Sequence, residues 1–205
     1  MVWIRQRLLV AHIMKWFTAN KMKKENKKTR KTGLAIYEMT LFSMFGALIF
    51  GSKVLMEVLP NIHLVGMFTI LLTVVYRAKA LIPLYIFVLL NGLISGFNMW
   101  WIPYTYIWTI LWAVTMLLPK EMNPKVGAFV YPLICAVHGF LFGALYAPAQ
   151  AIMYGFSFEQ TVAWIMAGLP FDAIHGVSNL IAGLLVLPLS KVLKKLNSSV
   201  TLRIG

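Results

Sequence analysis

The sequence predicts an all-α integral membrane protein with six transmembrane helices and both termini in the cytoplasm. Three observations predict this fold class. The 205-residue chain is 60% hydrophobic and only 12% charged, a balance typical of membrane proteins rather than soluble domains. Its apolar residues fall into six long runs, and its basic residues are concentrated in alternate connections between those runs.

Six apolar segments are predicted as transmembrane helices, because a bilayer core about 30 Å thick takes about 20 apolar residues per helix. Pro170 suits the first position of the last helix. A short interfacial helix is predicted at residues 158–167, before that last helix. The six segments are approximately residues 34–59, 64–76, 80–97, 104–118, 126–147 and 170–196.

The orientation follows from the positions of Lys and Arg. Ten of the 19 basic residues lie in the first 31 residues, and most others lie in the 77–79 and 120–125 connections or after residue 190. The alternate connections contain no Lys or Arg. The positive-inside rule therefore places both termini in the cytoplasm. The formal charge of +13 is explained by this arrangement, so a nucleic-acid partner is not expected.

The predicted organisation has three parts: a basic cytoplasmic arm at residues 1–33, a six-helix domain at 34–196 and a cytoplasmic tail at 197–205. Arg5, Arg7 and Lys15 interrupt the first apolar stretch, which argues against a signal peptide. The arm is expected to be an amphipathic surface helix or disordered, because residues 20–33 are too charged to fold alone. The single cysteine, Cys135, is interpreted as a packing residue.

The segment NMWWIPYTYIW, residues 98–108, carries five aromatic residues and no charge. Trp and Tyr favour the membrane–water boundary, so an aromatic belt is one interpretation. However, Trp100 and Trp101 are adjacent and cannot both easily face lipid. Tyr104 and Trp108 lie one helical turn apart, on one face. The alternative interpretation is a stacking wall for a flat ligand.

The first predicted helix ends with two ionisable groups, Lys53 and Glu57, one turn apart. They either pair with each other at the membrane surface or line a pocket that binds a polar ligand. Asn61 and His63 follow in the next connection. Ionisable groups within membrane spans are rare and usually functional.

The last predicted helix begins PFDAIHGVSN. Asp172, His175 and Asn179 occupy positions i, i+3 and i+7, within about 60° of one another on a helix of 3.6 residues per turn. They predict a polar ridge that lines a pocket. Asp172 alone could instead be a first-turn carboxylate favoured by the helix dipole. His138 is a further candidate, although interhelical hydrogen bonding is the ordinary role of a single buried polar group.

Several enzyme signatures can be rejected. GALIFGSK, residues 46–53, has Ser and Lys in the wrong order for a phosphate-binding loop, and it lies within an apolar run. HExxH and GxSxG motifs are absent from the sequence. We therefore expect no enzyme activity, no metal site and no cofactor, and ATP-driven transport would need partners. A stand-alone channel or secondary transporter, and an integral membrane enzyme, remain alternatives.

The chain resembles the S components of energy-coupling factor transporters, which capture vitamins and related micronutrients in bacteria. The resemblance covers residues 34–196. It rests on six spans with both termini inside, a short second helix, the small-residue stretch SMFGALIFG, and the pattern AGLPFDAIHGVSNLIAGLLVLPLSKVLKKL. It implies a multi-pass protein of the bacterial plasma membrane that works with a transmembrane T component and two cytoplasmic ATPase subunits.

The resemblance also implies where partners and ligand bind. Ser43, Ala47 and Gly51 take the places of the family's small-residue ridge, which contacts the T component. The family's ligand site lies in the outer half of the bundle, where the aromatic segment and the polar ridge fall. The predicted ligand is a planar vitamin-like compound such as a pyridoxine-like vitamin, a thiamin precursor, a flavin or a deazapurine. The predicted ligand residues are Glu57, Asn61, His63, Trp100, Trp101, Tyr104, Trp108, His138, Asp172, His175 and Asn179.

Overall fold

In the computed structural model, secondary structure is described for residues 2–59 and 61–204, and side chains for residues 20–25, 32–59 and 61–199. The described residues form helices and no strands. The helices are α1 (Val2–Leu55), α2 (Val65–Tyr76), α3 (Leu81–Ser95), α4 (Tyr104–Met116), α5 (Pro124–Phe140), α6 (Phe142–Tyr154), α7 (Phe158–Gly183) and α8 (Val186–Ile204). Short 3-10 turns cover Arg77–Ala80 and Met99–Trp101.

The chain divides into two units. One comprises residues 1–40 and 198–205, which hold the start of α1 and the end of α8. The other comprises residues 41–197 and contains the hydrophobic core. The basic arm is helical and continuous with the apolar part of α1, although its charge predicted that it would not fold alone. Lys, Glu and Met favour helix, and a helix already nucleated propagates at low cost.

Four helical stretches in the described part of the chain are long and apolar enough to cross a membrane: Thr32–Leu55, Val65–Ser95, Pro124–Tyr154 and Phe158–Gly183. Their outer faces expose large apolar side chains, including Leu48, Leu93, Phe129 and Ile181. Water would be a poor solvent for such faces, whereas lipid tails would not. These stretches suggest a membrane-embedded, multi-pass protein.

Two of the four stretches contain breaks. Arg77 has φ 54° and ψ −124°, and the chain turns there between α2 and α3. Tyr85 of α3 donates a hydrogen bond to Thr105 O at 3.1 Å, and Trp101 donates to Val88 O at 2.7 Å. These contacts show that α3 runs antiparallel to α4. The second break, at Leu141 with φ −95° and ψ 4°, separates α5 from α6.

The core is built around α2, which is apolar on all sides. Every residue from Val65 to Val74 is buried, which is the behaviour of a central helix rather than a surface helix. Among the helix pairings described for the structure, the most extensive is between α5 and α7. A Cβ at Gly139 would lie 2.8 Å from Gly176 Cα. Only glycine therefore allows the two backbones to approach this closely.

The second predicted helix, 64–76, and the third and fourth agree with α2, α3 and α4 to within two residues. Two other predictions were wrong. The fifth helix does not end before Pro148, because α6 passes through it to Tyr154. The last helix does not begin at Pro170. Instead α7 begins at Phe158, where Ser157 and Gln160 form a capping box, and it runs through Pro170.

Arg77 joins the ends of two helices. Its guanidinium donates to Met116 O at 2.6 Å and to Leu118 O at 3.3 Å. These carbonyls lie at the end of α4, where the helix itself supplies no donors. In return, Trp112 Nε1 donates to Arg77 O at 3.2 Å. The side chain thus stabilises this junction, whereas its positive φ is unfavourable for any residue other than glycine.

We expect Arg77→Ala to lower the free energy of unfolding by about 1.5–3 kcal/mol, since hydrogen bonds to a charged donor are lost. Arg77→Gly should lower it less, because glycine removes a backbone cost of about 1–3 kcal/mol. The unfolding temperature of each variant is measured by heating in the presence of a thiol-reactive dye. The dye reports unfolding because Cys135 is the only cysteine and is buried. Equal unfolding temperatures for the two variants would contradict the backbone argument, and an unchanged Arg77→Ala would contradict the pairing argument.

Candidate functional site

A cavity of about 200 Å³ lies at the end of α1, within the unit formed by residues 41–197. Its walls come from α1, from the connection between α1 and α2, and from α4, α6 and α7. The lining residues are Lys53, Met56, Glu57, Leu59, Asn61, Ile62, His63, Tyr104, Phe142 and His175. Residues distant in sequence therefore converge on one small space.

Five of the predicted ligand residues line this cavity: Glu57, Asn61, His63, Tyr104 and His175. Sequence reasoning did not select Phe142 as a ligand residue. The spacing of four residues from His138 would place Phe142 on the same face of one helix, but the break at Leu141 puts the two residues in α5 and α6, and spacing could not predict that break. The other predicted residues, Trp100, Trp101, Trp108, His138, Asp172 and Asn179, are not part of the cavity lining.

Five rings form a continuous cluster beside and behind the cavity. His63 lies 4.5 Å from His175, and Phe142 lies 4.7 Å from His175, between ring centroids. Trp108 forms the second layer, at 5.7 Å from His63 and 5.5 Å from His138. Trp108 is only 1% exposed. It supports the rings of the cavity wall and does not itself face the cavity.

The cluster contains buried polar atoms that no protein group pairs. They include His63 Nδ1, His138 Nδ1, His175 Nε2 and Trp108 Nε1. The other nitrogen of His138, Nε2, donates to Ile107 O at 3.2 Å. Because buried polar groups in proteins are nearly always hydrogen-bonded, each of these atoms requires an explanation. Neutral imidazole offers one donor and one acceptor, so each of these three histidine rings keeps one buried nitrogen that no protein group pairs.

The aromatic segment at residues 98–108 supplies fewer lining residues to the cavity than a stacking wall for a flat ligand would need. Tyr104 is a wall residue. Trp100 packs edge-on against Tyr104 at 5.6 Å, and its carbonyl accepts a hydrogen bond from Tyr146. Trp101 turns toward α3, where its indole donates to Val88 O and its ring packs on Phe97. The two adjacent tryptophans mainly fix the path of the chain into α4.

Asp172 has a partner of its own. Its two carboxylate oxygens accept from Gly143 N at 3.0 and 3.1 Å. Gly143 lies in the first turn of α6, just after the break at Leu141, where a backbone N–H lacks a helical acceptor. A Cβ at Gly143 would collide with the carboxylate. The pair therefore holds α6 against α7, and Asp172 lies in the middle of α7 rather than in its first turn.

Asn179 is packed on the same face of α7 but deeper. It is fully buried, and a Cβ at Gly66 would lie 3.2 Å from its Nδ2. Its amide nitrogen and oxygen have no protein hydrogen-bond partner. Asn179 thus lies where α7 packs against α2 and is not part of the cavity lining.

The rim of the cavity carries an ion pair. Lys53 Nζ contacts Glu57 Oε1, and the two side chains are 16% and 55% exposed respectively. The two interpretations of this pair are therefore compatible, since the residues pair with each other and also line the pocket. Among the residues described, no group of three or more His, Cys, Asp or Glu side chains is arranged to hold a metal ion.

We expect Asp172→Ala to lower the free energy of unfolding by about 1–3 kcal/mol, since the Gly143 N–H would be left buried and unpaired. Asp172→Asn is the matched control, because it keeps one oxygen acceptor and should cost less. Unfolding temperatures read at Cys135 compare the two. If Asp172→Ala unfolds at the wild-type temperature, the carboxylate does not hold the helix break.

His63 lies outside the four candidate spans, and its pKa is lowered from 6.5 to about 4. Burial that desolvates the imidazolium is the main cause, and the nearby His138 and Lys53 add to it. The unfolded chain therefore binds a proton at higher pH than the folded chain does. Stability is fully present above about pH 6.5 and is lost as the pH falls toward 4.

The pH dependence should be smaller in His63→Gln. A shift from 6.5 to about 4 corresponds to about 3 kcal/mol at 1.36 kcal/mol per pKa unit. The measurement is the unfolding temperature of both proteins between pH 8 and pH 4. His175, His138 and Glu57 lie near this site in both proteins, so the difference between the two proteins isolates His63. Parallel curves would contradict the assignment.

Comparison of the chain with protein-family models, with curated proteins and with solved structures finds no match. The features of this chain that bear on function are therefore the cavity, its ring cluster and the charge pattern of the sequence.

Proposed function

We propose that the chain is the substrate-binding S component of an energy-coupling factor transporter in a bacterial plasma membrane. It would capture a small vitamin-like compound outside the cell. It would deliver this compound inward together with a transmembrane T component and two cytoplasmic ATPase subunits. The observation that carries the proposal is the cavity, where five residues selected from sequence as ligand contacts converge within an apolar helix bundle.

The proposal includes six membrane passes with both termini inside. The direction of the helices supports it. The chain turns at Arg77, and α3 runs antiparallel to α4. Helix α5 runs antiparallel to α7, because Gly139 contacts Gly176 while Pro132, earlier in α5, contacts Gly183, later in α7. With this arrangement, Arg77 lies on the basic side of the protein and the cavity on the side whose connections carry no Lys or Arg.

A partner surface on α1 is the second part of the proposal. Ser43 and Ala47 are exposed, and nothing lies within 4 Å of a Cβ built at Gly51. Gly46, on another face of the same helix, is instead buried against Ile86. The ridge of small residues therefore remains available for a helix of another protein, which is how such ridges act in membranes.

The need for partners follows from the energy source. The sequence holds no phosphate-binding loop, so ATP-driven uptake requires separate ATPase subunits. A stand-alone transporter would take up its substrate in vesicles without them. A membrane enzyme would convert its ligand chemically. Both outcomes are distinguishable from ATP-dependent uptake of an unchanged compound.

We expect the tagged chain, purified from its native membrane, to bring with it a T component and ATPase subunits. Ala47→Leu should abolish this co-purification and ATP-dependent uptake, because a larger side chain fills the space that a partner helix needs. Its unfolding temperature should remain that of the wild type. Gly46→Leu is the matched control on the inward face, and it should lower the unfolding temperature through collision with Ile86.

The proposal fails if Ala47→Leu co-purifies with ATPase subunits as the wild type does, or if the purified wild type transports its ligand without ATPase subunits. A lowered unfolding temperature of Ala47→Leu would mean that the ridge packs within the chain.

A further inference from the structure

We infer that the cavity accepts an uncharged heterocycle of one ring, with hydrogen-bonding groups on its edge, and rejects phosphorylated and multi-ring relatives. This inference deepens the proposed function, because it names the substrate class of the same site. It rests on that proposal for its role in transport. The binding chemistry itself rests on the size, walls and charge of the cavity.

The size of the cavity sets the first limit. Its volume is about 200 Å³, whereas pockets for drug-sized ligands span about 300–1,000 Å³. An apolar protein cavity of about 150 Å³ is known to hold one benzene molecule. The cavity therefore has room for one six-membered ring with one or two small substituents. A three-ring flavin, one of the candidates left open by the sequence, exceeds it.

The walls favour a flat molecule. Four of the lining side chains carry rings: His63, Tyr104, Phe142 and His175. Trp108 packs behind His63 and Tyr104 at 5.7 and 5.8 Å, so these two rings are supported from behind. Aromatic walls prefer offset-stacked or edge-on contact with another ring. A planar ring fills such a space with less loss of contact than a chain or a sugar does.

The charge of the cavity argues against a charged ligand. Lys53 and Glu57 pair with each other at the rim and cancel. Asp172, one of the predicted ligand residues, is engaged by Gly143 N and does not line the cavity. His63 is neutral at physiological pH, because its pKa is about 4. A phosphate or a fixed cation would therefore lose water without gaining an opposite charge, which is costly.

Polar side chains also line the cavity beside its rings, among them Lys53, Glu57 and Asn61. His63 Nδ1 and His175 Nε2 have no protein partner, but both atoms are buried in the wall. A ring carrying amide-like, amino or hydroxyl groups on its edge could pair with the polar lining side chains, whereas unsubstituted benzene could not. The size, planarity and polarity together describe a substituted pyridine or pyrimidine.

Equilibrium dialysis of the purified protein tests the inference with matched probes. The uncharged single-ring probes are pyridoxine, nicotinamide and 4-amino-5-hydroxymethyl-2-methylpyrimidine. The phosphate esters of the first and third test charge, and uncharged three-ring lumichrome tests size. We expect at least one single-ring probe to bind. Its phosphate ester, or for nicotinamide the charged analogue nicotinate, should bind at least 100-fold more weakly, and lumichrome should not bind.

Glu57→Gln supplies the charge test, because it leaves Lys53 unpaired at the rim. This variant should bind the anionic probe at least tenfold more tightly than the wild type does. Glu121→Gln, which makes the same charge change at an exposed residue outside the cavity lining, is the control and should change nothing. Phe142→Ala should enlarge the cavity and admit lumichrome. Since Glu57 is 55% exposed, its variant is expected to fold even if Phe142→Ala does not.

The inference is overturned if no single-ring probe binds, if lumichrome or a phosphate ester binds the wild type as tightly as its single-ring counterpart, or if Glu57→Gln leaves the binding of anionic probes unchanged. ATP-dependent uptake of a multi-ring compound would overturn this inference and leave the proposed function intact. Binding of a single-ring probe by a chain that never associates with ATPase subunits would leave this inference intact and overturn the proposed function.

Discussion

Backbone groups at helix ends must find hydrogen-bond partners inside the protein when the surroundings are apolar, because lipid supplies none. Two side chains meet this requirement at the points where the helices break or end. Asp172 accepts from the N–H of Gly143 where α5 gives way to α6. Arg77 donates to the last carbonyls of α4. The break and the turn both depend on these pairs, and the cavity depends on the break.

The break at Leu141 sets the geometry of the site. A straight helix from Pro124 to Tyr154 would present one continuous face to α7. The change of direction instead begins α6 at Phe142, whose ring lies 4.7 Å from His175 and lines the cavity. Asp172 pairs with the first turn of α6, so the carboxylate that could have given the cavity a negative charge is engaged elsewhere. The same contact therefore determines both the shape and the neutrality of the site.

The sequence predicted helices well where apolar runs end at charged or aromatic turns, as in α2, α3 and α4. It failed at Pro148 and Pro170, since prolines in apolar helices are tolerated when the surrounding structure compensates. For the site, helical spacing correctly placed Asp172, His175 and Asn179 on one buried face of α7. Helical spacing could not predict that His175 alone of the three lines the cavity, because this depends on neighbours from other helices: Gly143 of α6 binds Asp172, and α2 and α5 pack against Asn179.

One helix contributes to both surfaces that the proposed function requires. In α1, Ala47 belongs to the exposed ridge and Lys53 stands at the rim of the cavity, where it pairs with Glu57 just after the helix ends. The six residues from Ala47 to Lys53 correspond to about 9 Å of helix at 1.5 Å per residue. A partner that displaced α1 at the ridge would therefore act on the cavity through a short helical connection. Docking and ligand release would then be coupled through Lys53, because Lys53 belongs to α1 whereas Tyr104, Phe142 and His175 belong to α4, α6 and α7.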